Sequence, residues 1–158
     1  MIKKFVKKII LKILQKYLVK ILASLSKIHL QNNKKQMAIY SFDTIGHCIN
    51  TWGYYEWQVL HFFDVWVDQK FPELKKLTVL DIGANIGNHT VFFAERYSKI
   101  FAYEPILKNF KLLKINTDDL ENVKIFNYGI SDVYQEKNIS IMKDNLGGSS
   151  VVNNFVDK

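Results

Sequence analysis

Two different periods of hydrophobic residues divide this chain. From Met1 to about Ile28 there is no proline, glycine or acid, and apolar residues recur at helical spacing. At roughly 100° per residue, Ile2, Phe5, Val6, Ile9, Ile10 and Ile13 fall on one side, and Lys3, Lys4, Lys7, Lys8 and Lys12 on the other, with Leu11 the exception. The pattern predicts an amphipathic helix whose separation blurs beyond residue 13, where Lys16 and Lys20 drift onto the apolar side. Gln31 to Gln36 is polar and reads as a linker. Met37 to Thr51 shows only short apolar runs around Asp43 and Gly46, so irregular structure or a short hairpin is expected. Tyr54 to Lys70 returns to helical spacing, with Trp57, Leu60, Phe63 and Val67 on one stripe, and Phe71-Pro72 ends it.

The pattern then changes to short apolar runs joined by turns. Thr78 to Ile82 reads as a strand, Gly83 to Gly87 as a tight turn, Val91 to Tyr97 as a helix and Lys99 to Tyr103 as a second strand. Lys108 to Asn116 makes a second crossover helix, with Phe110, Leu113 and Leu112 as its inward candidates, and Val123 to Tyr128 a third strand. Two successive βαβ units require parallel strands, which should lie side by side in the order third, second, first. Lys137 to Met142 and Ser149 to Val156 read as extended runs flanking a glycine-rich turn, a hairpin pattern. The expected organisation is a basic helix and linker over residues 1–36 and an α/β domain over residues 37–158.

Charge sharpens the first of these units. The formal net charge is +7, yet ten lysines fall within the first 35 residues, and Asp43 is the first acid. From Asp43 onward 12 basic residues face 15 acidic ones, about −3. Basic residues alternating with bulky aliphatics and no aromatic platform argue against a nucleic-acid partner. Two readings of residues 1–28 stand: peripheral contact with an anionic membrane surface, or a leading helix packed on its own domain or on a twin chain. Lysines interrupt every apolar run well short of the ~20 residues that span a bilayer. Cys48 is the only cysteine, which excludes an intramolecular disulfide and fits a reducing, cytoplasmic compartment. His47, Cys48 and His61 have no ligand spacing, so no metal site is expected.

The candidate chemistry lies between Asp81 and Glu104. Gly83 and Gly87 allow a sharp turn and close approach of a ligand to the backbone. Asn85 between them tolerates unusual backbone angles and offers a side-chain amide. The turn feeds the start of a helix, where unpaired N–H groups favour an anionic group. Glu104, 21 positions past Gly83 and at the end of the next strand, is placed to accept hydrogen bonds from ribose hydroxyls. The dinucleotide pattern GxGxxG is not met, because Asn85 stands where its second glycine would admit a pyrophosphate. That argues against NAD and FAD.

DIGANIGNHT, followed by FAYEP and by ISD after the third strand, resembles the S-adenosylmethionine-dependent methyltransferases of the FkbM family. FDTIG with GYYE upstream and NLGGSS downstream extend the similarity over about Phe42 to Val152. The resemblance implies a class I, Rossmann-like methyltransferase fold with S-adenosylmethionine as cofactor. The Asp81 to Gly87 loop would hold the methionine part, Glu104 the ribose, and Ile130, Ser131 and Asp132 would border the adenine. His89 matches the family pattern and would either face the cofactor or cap the helix. Gly53 and Glu56 match GxYE, with Glu56 closing over the cofactor. The implied reaction is O-methylation of a hydroxyl on a small molecule or glycan, and no catalytic base can be assigned; His89 and Asp132 are the conceivable groups.

The family pattern continues with further strands and a KxDVEGxE segment, and nothing of that kind precedes Lys158. The expectation is therefore a sheet truncated after its third strand and hairpin. Its open edge would be covered by that hairpin, by a second chain, or by nothing, as in a non-catalytic fragment. A membrane-surface protein using the domain as scaffold is the remaining alternative.

Overall fold

The computed structural model describes residues 2–133 and Ile139. The chain is α/β, with helices α1 (Ile2–Gln31), α2 (Thr44–Trp52) and α3 (Trp57–Lys70) preceding strand β1 (Thr78–Ile82). Helix α4 (Asn88–Ala94), strand β2 (Lys99–Tyr103), helix α5 (Leu107–Thr117) and strand β3 (Val123–Phe126) follow. The sheet is parallel in the order β1-β2-β3, with Asp81 beside Ala102 and Ile82 beside Tyr103 in register. This is the order expected from two βαβ units. The extended runs expected at 137–142 and 149–156 lie outside the described residues.

One face of the sheet is covered by α4 and α5. Ala84, Ala102 and Leu113 form a buried cluster there, with Phe110 and Ile125 packed against it. A second cluster, Tyr54, Leu60, Val91 and Phe92, joins α3 to the outer side of α4. Tyr54 meets Phe92 edge-on at 5.5 Å, a favoured aromatic geometry. On the other face Leu80 and Ile82 are exposed, and Tyr103 stacks on Phe126 at 4.9 Å. Among the described residues β1 is paired on one side only.

The helices preceding the sheet differ from the sequence pattern in two places. Where irregular structure was expected, Thr44–Trp52 is helical. Its β-branched residues and Gly46 are poor helix formers, but contact overrides propensity: a β-carbon at Gly46 would stand 2.4 Å from the Tyr40 carbonyl oxygen. Gly53, at φ 85°, ends the helix in the left-handed conformation. On α3 the buried stripe runs through Leu60 and Val67, while Trp57 and Phe63 are exposed. Asp64 takes the position between them, because Arg96 and Lys75 reach its carboxylate, each at 3.1 Å. A carboxylate on an inward stripe is tolerable only with such partners.

Helix α1 extends three residues beyond the expected end and closes with Asn33 at φ 53° and Lys34 N–H donating to the His29 carbonyl at 2.9 Å. The polar stretch after it packs rather than merely links. Lys34 lies 4.4 Å over the Tyr54 ring, and Lys35 pairs with Asp119.

Candidate functional site

The turn between β1 and α4 is built from three left-handed residues, Gly83 at φ 83°, Asn85 at φ 52° and Gly87 at φ 93°. Alternate reversals of this kind turn the chain within a few residues, which a strand entering a helix directly above its own sheet requires. The N–H groups of Gly83 and Ala84 both donate to the Tyr103 carbonyl, at 2.9 and 3.0 Å, and Gly87 N–H donates to the Ala84 carbonyl at 2.8 Å. The turn is thereby fastened to the end of β2.

The two glycines do different work. A β-carbon at Gly83 would meet nothing within 4 Å, so that side of the turn is open. At Gly87 it would lie 2.8 Å from Leu113 Cδ1. Gly87 therefore admits the wholly buried Leu113 of α5, and Gly83 is the position where the backbone is bare to an approaching molecule.

Glu104 is 4% exposed and holds the turn from the side. Its Oε2 accepts the Asn85 N–H at 2.9 Å; its Oε1 accepts the Ile106 N–H at 2.9 Å and a long contact from Asn109 Nδ2 at 3.5 Å. Charge-assisted bonds to a buried carboxylate are among the stronger hydrogen bonds in proteins. Asn109, itself buried, accepts from the Tyr40 hydroxyl at 3.1 Å. Asn85 Oδ1, by contrast, is buried and has no hydrogen-bond partner. An orphaned buried acceptor costs about 1–3 kcal/mol, and this one belongs to the same turn as Gly83, two residues on.

Asp81 lies at the end of β1, 9% exposed, and accepts from Thr90 Oγ1 at 2.5 Å. Burial pushes its carboxyl pKa up, against the opposing pull of the Thr90 hydroxyl and of His89. His89 Nε2 in turn stands 3.4 Å from Glu56 Oε2, with both side chains partly exposed. Glu56 has φ 56°, and the segment that carries it is clamped to α4: Asn88 Oδ1 accepts the Tyr55 N–H at 2.9 Å and Asn88 Nδ2 donates to the Tyr55 carbonyl at 3.0 Å. Asp81, Asn85, Glu104, His89 and Glu56 are thus linked through one turn and its first helical residues.

Ser131 and Asp132 lie past β3 and are exposed, with Ser131 Oγ donating to the Asp132 carboxylate at 3.1 Å. Among the described residues no group of three or more His, Cys, Asp or Glu is placed to hold a metal ion. Helix α4 has seven residues, and the carboxyl side chains of Asp81 and Glu104 reach Thr90 in that helix and the Asn85 N–H in the turn before it.

Sequence reasoning missed the asparagines that hold the site in place. Asn116, 1% exposed, donates to the Ile86 carbonyl at 2.7 Å and to the Ala38 carbonyl at 3.0 Å, and accepts the Ala38 N–H at 2.6 Å. It ties the stretch leading into α2 to the turn itself. The signal available was position: Asn109, Leu113 and Asn116 lie at helical spacing on one face of α5, and polar residues on the buried face of a helix mark a network. No protein-family model matches the chain, and no curated protein matches it.

Proposed function

We propose that this chain carries the S-adenosylmethionine site of a class I methyltransferase, acting on a hydroxyl of a small molecule or glycan. The observation that carries the reading is a single turn that holds both an open flank at Gly83 and, two residues on, the buried, unpartnered Oδ1 of Asn85. The family resemblance of DIGANIGNHT and FAYEP supports it from the sequence side.

The residues present fit the group. S-adenosylmethionine carries an ammonium and a sulfonium, and the turn offers two carboxylates, one orphaned acceptor and bare backbone. A ligand donating to Asn85 Oδ1 would relieve a desolvation cost that the free protein bears. A cation near Asp81 would favour the ionised carboxylate that burial opposes. When bound, the cofactor supplies a methyl group on a positively charged sulfur, ready for in-line displacement. The chain's own part is positioning, which accounts for a large share of the rate in such reactions. Glu104, with three protein donors converging on it, fixes the turn and leaves only its remaining acceptor capacity for a ribose hydroxyl. Glu56 and His89 border the site from the α3 side.

Calorimetric titration of the full chain with S-adenosylmethionine and with S-adenosylhomocysteine tests the reading. Asn85→Gly is the discriminating variant, because glycine adopts φ 52° without strain and deletes only the orphaned amide. It should bind the cofactor about tenfold or more weakly, about 1.4 kcal/mol, while keeping or raising the thermal midpoint. Full retention of affinity in this variant would remove Asn85 from the site.

A further inference from the structure

Helix α1 leaves a wholly different surface unaccounted for. Val6, Ile9, Ile10 and Ile13 are 44–52% exposed, values high for branched aliphatics inside a regular helix. At about 100° per residue these four occupy an arc of roughly 100°, with Lys7, Lys8 and Lys12 outside it. Farther along, Leu22, Leu25 and His29 are the half-buried positions, where α1 meets α2. Their direction lies roughly 140° around the helix from the first arc. The body of the protein therefore covers one side of the helix's second half, and the apolar arc of the first half points away from it.

The reason is a repeat of four. Val6, Ile10, Leu14, Leu18 and Leu22 recur every fourth residue, as do Ile9, Ile13, Tyr17, Ile21 and Leu25. A helix with about 3.6 residues per turn rotates such a row by about 40° at each step. Lys8, Lys12, Lys16 and Lys20 wind with it. A flat surface can engage only a short length of a winding stripe, and the length that faces away from the body is residues 6–13.

We infer that residues 6–13 of α1 dock on an anionic phospholipid membrane, with Val6, Ile9, Ile10 and Ile13 in the interfacial layer and lysines against the headgroups. Charge selects this occupant. The helix Ile2–Gln31 carries eight lysines and no acid, so two copies lying together would bring like charges into contact, whereas an anionic surface is attracted to each lysine. No helix among the described residues is long and apolar enough to cross a membrane, and a short amphipathic stretch with lysine flanks suits the plane of the interface. The contact is independent of the cofactor site.

Sedimentation of the full chain with vesicles of phosphatidylcholine, and of phosphatidylcholine containing about a quarter phosphatidylglycerol, tests the proposal. Binding is expected to the anionic vesicles and to be weak on the neutral ones. Lys7→Gln, Lys8→Gln and Lys12→Gln together lower the partition coefficient by roughly a hundredfold, about fivefold per lysine. Ile9→Gln with Ile13→Gln keeps the charge and lowers it by roughly tenfold per side chain. Both variants alter only exposed positions, so their unfolding midpoints should match the parent. Equal binding to both vesicle types, absence of binding to the anionic ones, or unchanged binding in the isoleucine variant overturns the proposal. So does a concentration-dependent dimer, lost in that variant, without vesicle binding; this outcome would assign the arc to a second copy of the chain.

Discussion

Single residues around the turn show where stability and ligand binding compete. Against the Thr90 hydroxyl and His89, burial favours the neutral form of the Asp81 carboxyl. Its folded pKa is raised above the unfolded value of about 3.9, so its contribution to stability is fully present below that value and is lost as pH rises through the folded pKa. Asp81→Asn keeps an acceptor for Thr90 and removes the titration. Urea unfolding at intervals above pH 4 should show the parent losing stability with rising pH relative to the variant, with the variant equal to or more stable than the parent at pH 7. Cofactor affinity should fall in the same variant. A variant much less stable than the parent at neutral pH would mean that the charge serves the fold instead. None of this was readable from DIGAN alone. The letters predict a turn with an acid beside it, but which donors reach Asp81 and Glu104, and that Asn85 Oδ1 has none, depends on where α4 brings Thr90 and α5 brings Asn109.

At the scale of elements, the strands and their crossover helices were legible because each is bounded by glycine, proline or a polar turn and carries a clear period. β1, β2 and β3 form in the order that two βαβ units dictate. Helix α2 was not legible, since its β-branched residues and glycine are poor helix formers and the close approach of Gly46 to the Tyr40 carbonyl is a tertiary contact. The inward face of α5 was half legible: Leu113 was foreseen, but the buried Asn109 and Asn116 beside it were not, because the pattern of apolar residues is blind to a polar side chain with every partner supplied. Asn116 joins three elements, and Asn116→Ala would strand the Ile86 carbonyl and both backbone groups of Ala38. The expected loss is about 2–4 kcal/mol, read as a lower urea midpoint. A loss below about 0.5 kcal/mol would show that the stretch before α2 is held by other contacts.

Among the described residues, a packed α/β body is joined to a helix whose residues 6–21 are exposed throughout. That stretch relies on intrinsic propensity, which leaves isolated helices marginal in water. Limited trypsin digestion should therefore cut first at Lys7 to Lys20, and the product beginning past Lys20 should keep the parent's unfolding midpoint. First cuts within the sheet at Lys99 or Lys124 would contradict this division. The charge distribution foreshadowed it, with ten lysines ahead of the first acid, although the winding of the apolar row became meaningful only once α1 was seen as one unbroken helix.

The central claim concerns the turn from Asp81 to Gly87, and calorimetry of the full chain with S-adenosylmethionine tests it most directly. Saturable one-site binding by the parent, weakened about tenfold or more by Asn85→Gly with no loss of thermal stability, is the predicted result. Absence of binding by a folded parent chain, or equal binding by parent and variant, would contradict it.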